Sequence, residues 1–162
     1  MRPKLFIIIA AAVVLLAGCA TTPVREPARV AITDATLNGT WVVKQAEFAG
    51  RSLPVPPGIE LQINGNQYYV TSPTNRALPS DRGSIVVFID GSAGQTGHID
   101  VVGEDGPNQG KRFPTIYRFV GGVGSVNERE LEMCYDLSGK VRPTEFVSPD
   151  GTLLLRVTYM KK

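Results

Sequence analysis

The sequence predicts an all-β fold: an eight-stranded antiparallel up-and-down barrel, preceded by a signal-peptide helix. Three observations predict it. Past Gly18 no window holds a convincing helical apolar period, whereas short strand signals recur between Gly, Pro, Asn and Asp. The sharpest signal, "GIELQINGNQYYV", sets Ile59, Leu61 and Ile63 against Glu60, Gln62 and Asn64. It then offers Asn64-Gly65, which accepts the positive φ of a tight type I′ hairpin. Finally, a meander of this many strands has two unpaired edges, and closure removes both. A β-sandwich is the competing architecture, and strand patterns alone leave it open.

The N-terminus is read first. Arg2 and Lys4 precede an apolar run from Leu5 to Gly18. That run is about fourteen residues, short of the roughly twenty that cross a bilayer as a helix. A basic start, a short apolar stretch and small residues at its end make a secretory signal. Its last four residues, Leu16-Ala17-Gly18-Cys19, resemble a bacterial lipobox. The resemblance implies cleavage before Cys19, a diacylglyceryl group on its thiol and a palmitate-like acyl chain on its amine. Several chains together hold a protein on a membrane where one alone does not. Ala20 after the cysteine implies sorting to the periplasmic face of the outer membrane. An ordinary signal peptide followed by an unrelated cysteine is the alternative.

The organisation that follows is residues 1–18 as signal peptide, 19–36 as lipidated cysteine and flexible tether, and 37–162 as the barrel domain. The tether, "ATTPVREPARV", is polar and proline-bearing, an extended spacer of roughly 3 Å per residue. Loss of Arg2 and Lys4 brings the 17 basic residues level with the 15 acidic ones. A near-neutral chain without basic runs has no electrostatic footprint for nucleic acid. Of the 2 cysteines, only Cys134 remains once Cys19 carries lipid, so no intramolecular disulfide forms. A lone thiol in an oxidising compartment is expected to be buried.

Asp34 is placed to N-cap a short turn to Leu37, ended by Asn38-Gly39. Strands are then expected at Thr40–Phe48, Ile59–Asn64, Gln67–Thr71, Ser84–Asp90, His98–Val102, Thr115–Val120, Glu130–Tyr135 and Thr152–Met160. In the last, Leu153, Leu155, Val157 and Tyr159 share one face.

Two local sequences carry a family resemblance. Gly39-x-Trp41, in "LNGTW", is similar to the lipocalin G-x-W signature, in which the tryptophan plugs the closed end of the barrel. Asp105 to Lys111, Ile116-Tyr117, Leu131 with Cys134, and Arg142 to Phe146 resemble, in order and spacing, the uncharacterised lipocalin-like domain family of the planctomycete type. "VGGVGSVNERE" and the prolines of "VPVPPG" depart from that pattern in loop shape. The resemblance implies a lipocalin-like barrel from Leu37 onward and no particular activity.

No catalytic constellation is expected, nor a metal or cofactor. "GPNQGK" lacks the Walker spacing and puts Arg112 where a magnesium-holding Ser or Thr belongs, so it is read as a turn. His98 is the only histidine. With Asp100 two residues on, it shares a sheet face that permits a His–carboxylate pair, but no nucleophile elbow occurs. Asp100, Glu104 and Asp105 lack the spacing of a calcium loop. Tyr68, Tyr69, Tyr117 and Tyr135 are strand residues, and those facing inward line a core or a pocket.

The candidate barrel-end or ligand-rim residues are Trp41, Tyr117, Arg142 and Glu145. In "RPTEF" the two charges either orient a ligand at a polar rim or clamp the fold, with Arg142 on a carboxylate or stacked on Trp41. The clamp is the preferred reading. The expected function is a membrane-held protein binding a small amphiphilic or lipid ligand. The alternative is a structural, interaction or inhibitor lipoprotein with a filled barrel, meeting an unidentified envelope partner through its loops.

Overall fold

A computed structural model describes residues 34–75, 77–88, 96–120 and 130–162. The expected signal peptide, Cys19 and the tether as far as Thr33 lie outside these residues. Nine strands follow in chain order. They are β1 (Gly39–Phe48), β2 (Arg51–Leu53), β3 (Glu60–Asn64), β4 (Gln67–Thr71), β5 (Asp81–Phe88), β6 (Thr96–Asp105), β7 (Arg112–Val120), β8 (Glu130–Asp136) and β9 (Leu154–Lys161).

From β3 to β9 each strand pairs antiparallel with the next. The sheet closes where β1 meets β9, from Trp41 opposite Lys161 to Phe48 opposite Leu155, with a register shift between Val43 and Gln45. β1 and β3 to β9 therefore form the expected eight-stranded up-and-down barrel, and the sandwich is excluded. β2 is an addition: it pairs with Ala46–Phe48 along the part of β1 that β3 does not reach. Its three residues are all exposed, so no inward–outward alternation announced it.

Several details differ from expectation: β5, β6 and β7 begin at Asp81, Thr96 and Arg112, before the expected Ser84, His98 and Thr115, and the expected strand end at Asp90 lies outside the described residues. Asn64 pairs with Gln67, so the central residues of the β3–β4 turn are Gly65 and Asn66, one position later than anticipated. Gly65 has φ +61° while Asn66 stays out of the positive region, the pattern of a type II′ rather than a type I′ turn. At the other end of the chain β9 begins at Leu154, and Leu153 lies outside it, 53% exposed. β7 also runs through Pro114, on a stretch with β6 beside it and β8 not yet paired, so a residue without an N–H fits.

The first described element is a 3-10 turn, Ala35–Leu37, whose N-cap Asp34 accepts from the Thr36 N–H at 2.9 Å. It lies at the pole where β1 starts and β9 ends. The opposite pole carries the β4–β5 loop, the β6–β7 hairpin and the long β8–β9 connection. Inside the barrel Leu61, Ile63, Ile85, Ile99, Leu131 and Val157 pack into one core. A fully buried Ile99 or Leu131 contributes roughly 2 kcal/mol of transfer free energy. Outward-facing Asp100, Ile116, Glu132 and Cys134 are buried as well. The β8–β9 connection covers them as a strap on the outer wall. The Cys134 thiol donates to the Val147 carbonyl at 3.5 Å. The Arg118 guanidinium lies 4.2 Å over the Phe146 ring.

Candidate functional site

The pole where β1 starts is plugged. Trp41 has no exposed surface, and its indole N–H donates to the Leu37 carbonyl at 2.8 Å. Its ring centroid is 6.1 Å from that of Phe119, which meets Tyr117 edge-on at 6.1 Å. Tyr117 donates to Asp34 Oδ2 at 2.6 Å, tying the 3-10 turn over the plug. Burial and the neighbouring Asp34 carboxylate push the Tyr117 phenol well above its ordinary range. Burial acts to raise Asp34, but bonds from the Thr36 and Tyr117 hydroxyls and the Thr36 N–H outweigh it and hold the carboxyl low. Gly97 makes room here, since a Cβ on it would come within 2.2 Å of the Tyr117 ring. The cation over Trp41 is Lys161, 5.3 Å from the ring centroid, and not Arg142.

The opposite half of the interior is hollow. A cavity of about 260 Å³ is lined by Leu61, Ile63, Val70, Ile85, Val101, Phe113, Met133 and Leu155, with Tyr68, Tyr135 and Tyr159 among them. Asp81, Asn108 and Leu137, from the loop-bearing pole, also line it and mark its mouth. The Tyr135 and Tyr159 hydroxyls meet at 2.9 Å, and Tyr135 donates to Met133 Sδ at 3.1 Å. Burial, then the Tyr159 neighbour, raises the Tyr135 phenol well above its usual range. Burial takes Tyr159 up to about 12, against the lowering effect of the Tyr135 hydrogen bond. Both are neutral donors at physiological pH. Tyr68 donates to Asp81 Oδ2 at 3.0 Å and is pushed up by burial and by the Asp81 charge.

Arg142 sits on the outer wall. Its Nη1 donates to the carbonyls of Ile99 (2.5 Å) and Thr115 (2.6 Å), and its Nη2 to Asp100 Oδ1 (2.6 Å). The same guanidinium lies 4.8 Å over the Phe88 ring. Arg112 takes the other Asp100 oxygen through Nε at 2.6 Å. Asp100, 1% exposed, is thus held by two arginines. Glu145 is exposed on the strap and lines a shallow groove with Arg142, Pro143 and Leu153. Among the described residues it forms no ion pair with Arg142. A second buried carboxylate, Glu132, is bridged by Arg118 and Arg156, each at 2.5 Å.

The four candidate residues therefore separate into two places. Trp41 and Tyr117 meet at the closed pole, while Arg142 and Glu145 lie on the strap. The mouth residues Asp81 and Asn108 were not anticipated. Asp81 precedes the expected strand start at Ser84, Asn108 was read only as part of a turn, and Asp81 joins the mouth through the β4–β5 register, Val70 opposite Asp81. Lys161 over Trp41 had a sequence signal, the β9 alternation carried one residue further. Among the described residues no His, Cys, Asp and Glu cluster is arranged to hold a metal ion. Compared with protein-family models, curated proteins and solved structures, the chain matches none.

Proposed function

We propose that this protein is a lipid-anchored envelope protein whose barrel binds a small amphiphilic or lipid-derived ligand, and that it performs no catalysis. The observation that carries the binding reading is the cavity, about 260 Å³ with an apolar wall and a polar mouth. Ligand sites are concave and mostly apolar, with a few polar groups that fix orientation. At about 30 Å³ per water-sized group, this one takes about nine non-hydrogen atoms. That suits a short chain, or the end of a longer one whose remainder stays outside.

The lipobox-like Leu16 to Cys19 and the polar tether behind it support attachment to the periplasmic face of the outer membrane. The Gly39-x-Trp41, Asp105–Lys111 and Arg142–Phe146 motifs support a place in the lipocalin-like family that they resemble. The engagement of Asp100 by Arg112 and Arg142 supports the non-catalytic reading, because it commits that carboxylate to a structural clamp.

Titrating 1-octanol into the full-length chain tests binding. Saturable heat is expected, and it should vanish in Val70→Trp, which fills the cavity. No saturable binding, or binding unchanged by Val70→Trp, refutes it. A second reading, an interaction or inhibitor lipoprotein, is favoured by exposed Val141 (71%), Val147 and Leu153 on the strap. Cross-linking from the strap to an envelope protein, undiminished by Val70→Trp, would support that reading.

A further inference from the structure

Among the described residues the mouth of the cavity holds one charged side chain, and it is an anion. Asp81 opens β5 at the loop-bearing pole and is 9% exposed. Its Oδ2 accepts from the Tyr68 hydroxyl (3.0 Å) and the Asn108 side-chain amide (2.9 Å), and its Oδ1 from the Asn108 N–H (3.2 Å). All three donors are neutral. A carboxylate accepts about four hydrogen bonds, so one acceptor direction on Oδ1 is left over. Among the described residues no Lys, Arg or His lines the cavity. Two basic side chains of this pole face elsewhere: Arg82 pairs with Asp105 at 3.1 Å, and Lys111 donates to the Pro107 carbonyl at 3.2 Å. Glu104 adds a second negative charge close enough to act on Tyr68.

Elsewhere the wall offers Leu61, Ile63, Val101 and Phe113, and the Tyr135 and Tyr159 hydroxyls are already bonded to each other. A guest therefore places its apolar part inward and its head beside Asp81. Two like charges brought together at a partly desolvated site repel, while an ammonium there gains both the charge and the vacant acceptor.

We infer that the cavity selects amphiphiles with a cationic or neutral hydrogen-bond-donating head, amines above alcohols, and rejects carboxylates such as free fatty acids. This inference rests on the binding reading above and adds the class of ligand.

Octylamine, 1-octanol and octanoate each have eight carbons and differ in the head. They are titrated into the full-length protein at pH 7, with the Val70→Trp protein as blank. Octylamine should bind at least tenfold more tightly than octanoate, with octanol between them. Asp81→Asn should bring octanoate to within about threefold of octylamine. Octanoate binding as well as octylamine, or an unchanged ranking in folded Asp81→Asn, overturns the inference. The ranking on unaltered protein decides the matter even where Asp81→Asn does not fold. Octanol binding without an amine preference sinks the selectivity alone. No binding by any of the three sinks the binding reading, and the selectivity falls with it.

Discussion

Four hydrogen bonds converge on Asp136 at the end of β8. They come from the Ser138 hydroxyl (2.7 Å) and the N–H groups of Ser138 (2.9 Å), Lys140 (2.9 Å) and Val141 (2.8 Å). Burial acts to raise this carboxyl, but these bonds outweigh it and hold the carboxyl below its ordinary value of 3.8. Its contribution is therefore complete above pH of about 4 and is lost as pH falls through the lower, folded value. Asp136→Ala should cost about 2 kcal/mol at pH 7, measured by urea unfolding, and should flatten the acid limb of the stability profile. Arg142→Ala strips Asp100 of one of its two arginines and should cost about 3 kcal/mol. It should leave octanol affinity unchanged, because Arg142 is outside the wall. Lost affinity with unchanged stability would return Arg142 to a ligand rim. Burial also takes the Cys134 thiol up to about 11, so native protein should resist iodoacetamide at pH 8 and react once unfolded. Residue types were readable in advance at these positions: a clamp-like arginine and a buried lone thiol. Their partners were not, because Asp100 meets Arg142 only through the pairing of β6 with β7 and the path of the strap.

At the level of elements, the barrel strands were legible where alternation meets a turn residue. Ile59 to Thr71 is the clearest case, and even there the turn centre lay one residue late. Both assignments put Gly65 at a positive φ, and the choice between them rests on whether Asn64 or Asn66 leaves the ladder. β2 escaped notice because an exposed three-residue strand has no buried face to pattern. The strap is the other illegible element. Its apolar residues cover an outer wall, and no period marks a segment packed on the back of a sheet. Gly97 shows how neighbouring strands fit, since it stands opposite Tyr117 in the β6–β7 register. Gly97→Ala drives a methyl into the Tyr117 ring and should cost about 2 kcal/mol by thermal or denaturant unfolding. Most of that penalty should disappear in a Tyr117→Ala background. A penalty that persists there would mean that Gly97 serves its own backbone instead.

At the scale of the molecule, closure leaves no long exposed sheet edge among the described residues, and the plug at one pole with the hollow at the other gives the barrel a polarity. Cys19→Ala should release the protein from membranes into the soluble fraction, and unchanged retention would refute the anchor. The chain joins the barrel at Asp34, on the plugged side. Ten-residue β1, at about 3.3 Å per residue and a tilt of about 40°, puts the mouth roughly 25 Å away at the far pole. If Cys19 carries the proposed anchor, the body is attached through its plugged pole, and its opening lies at the end away from the attachment. Guests drifting in from the surrounding fluid find that opening directly, whereas one drawn from the supporting layer needs the body to tip over.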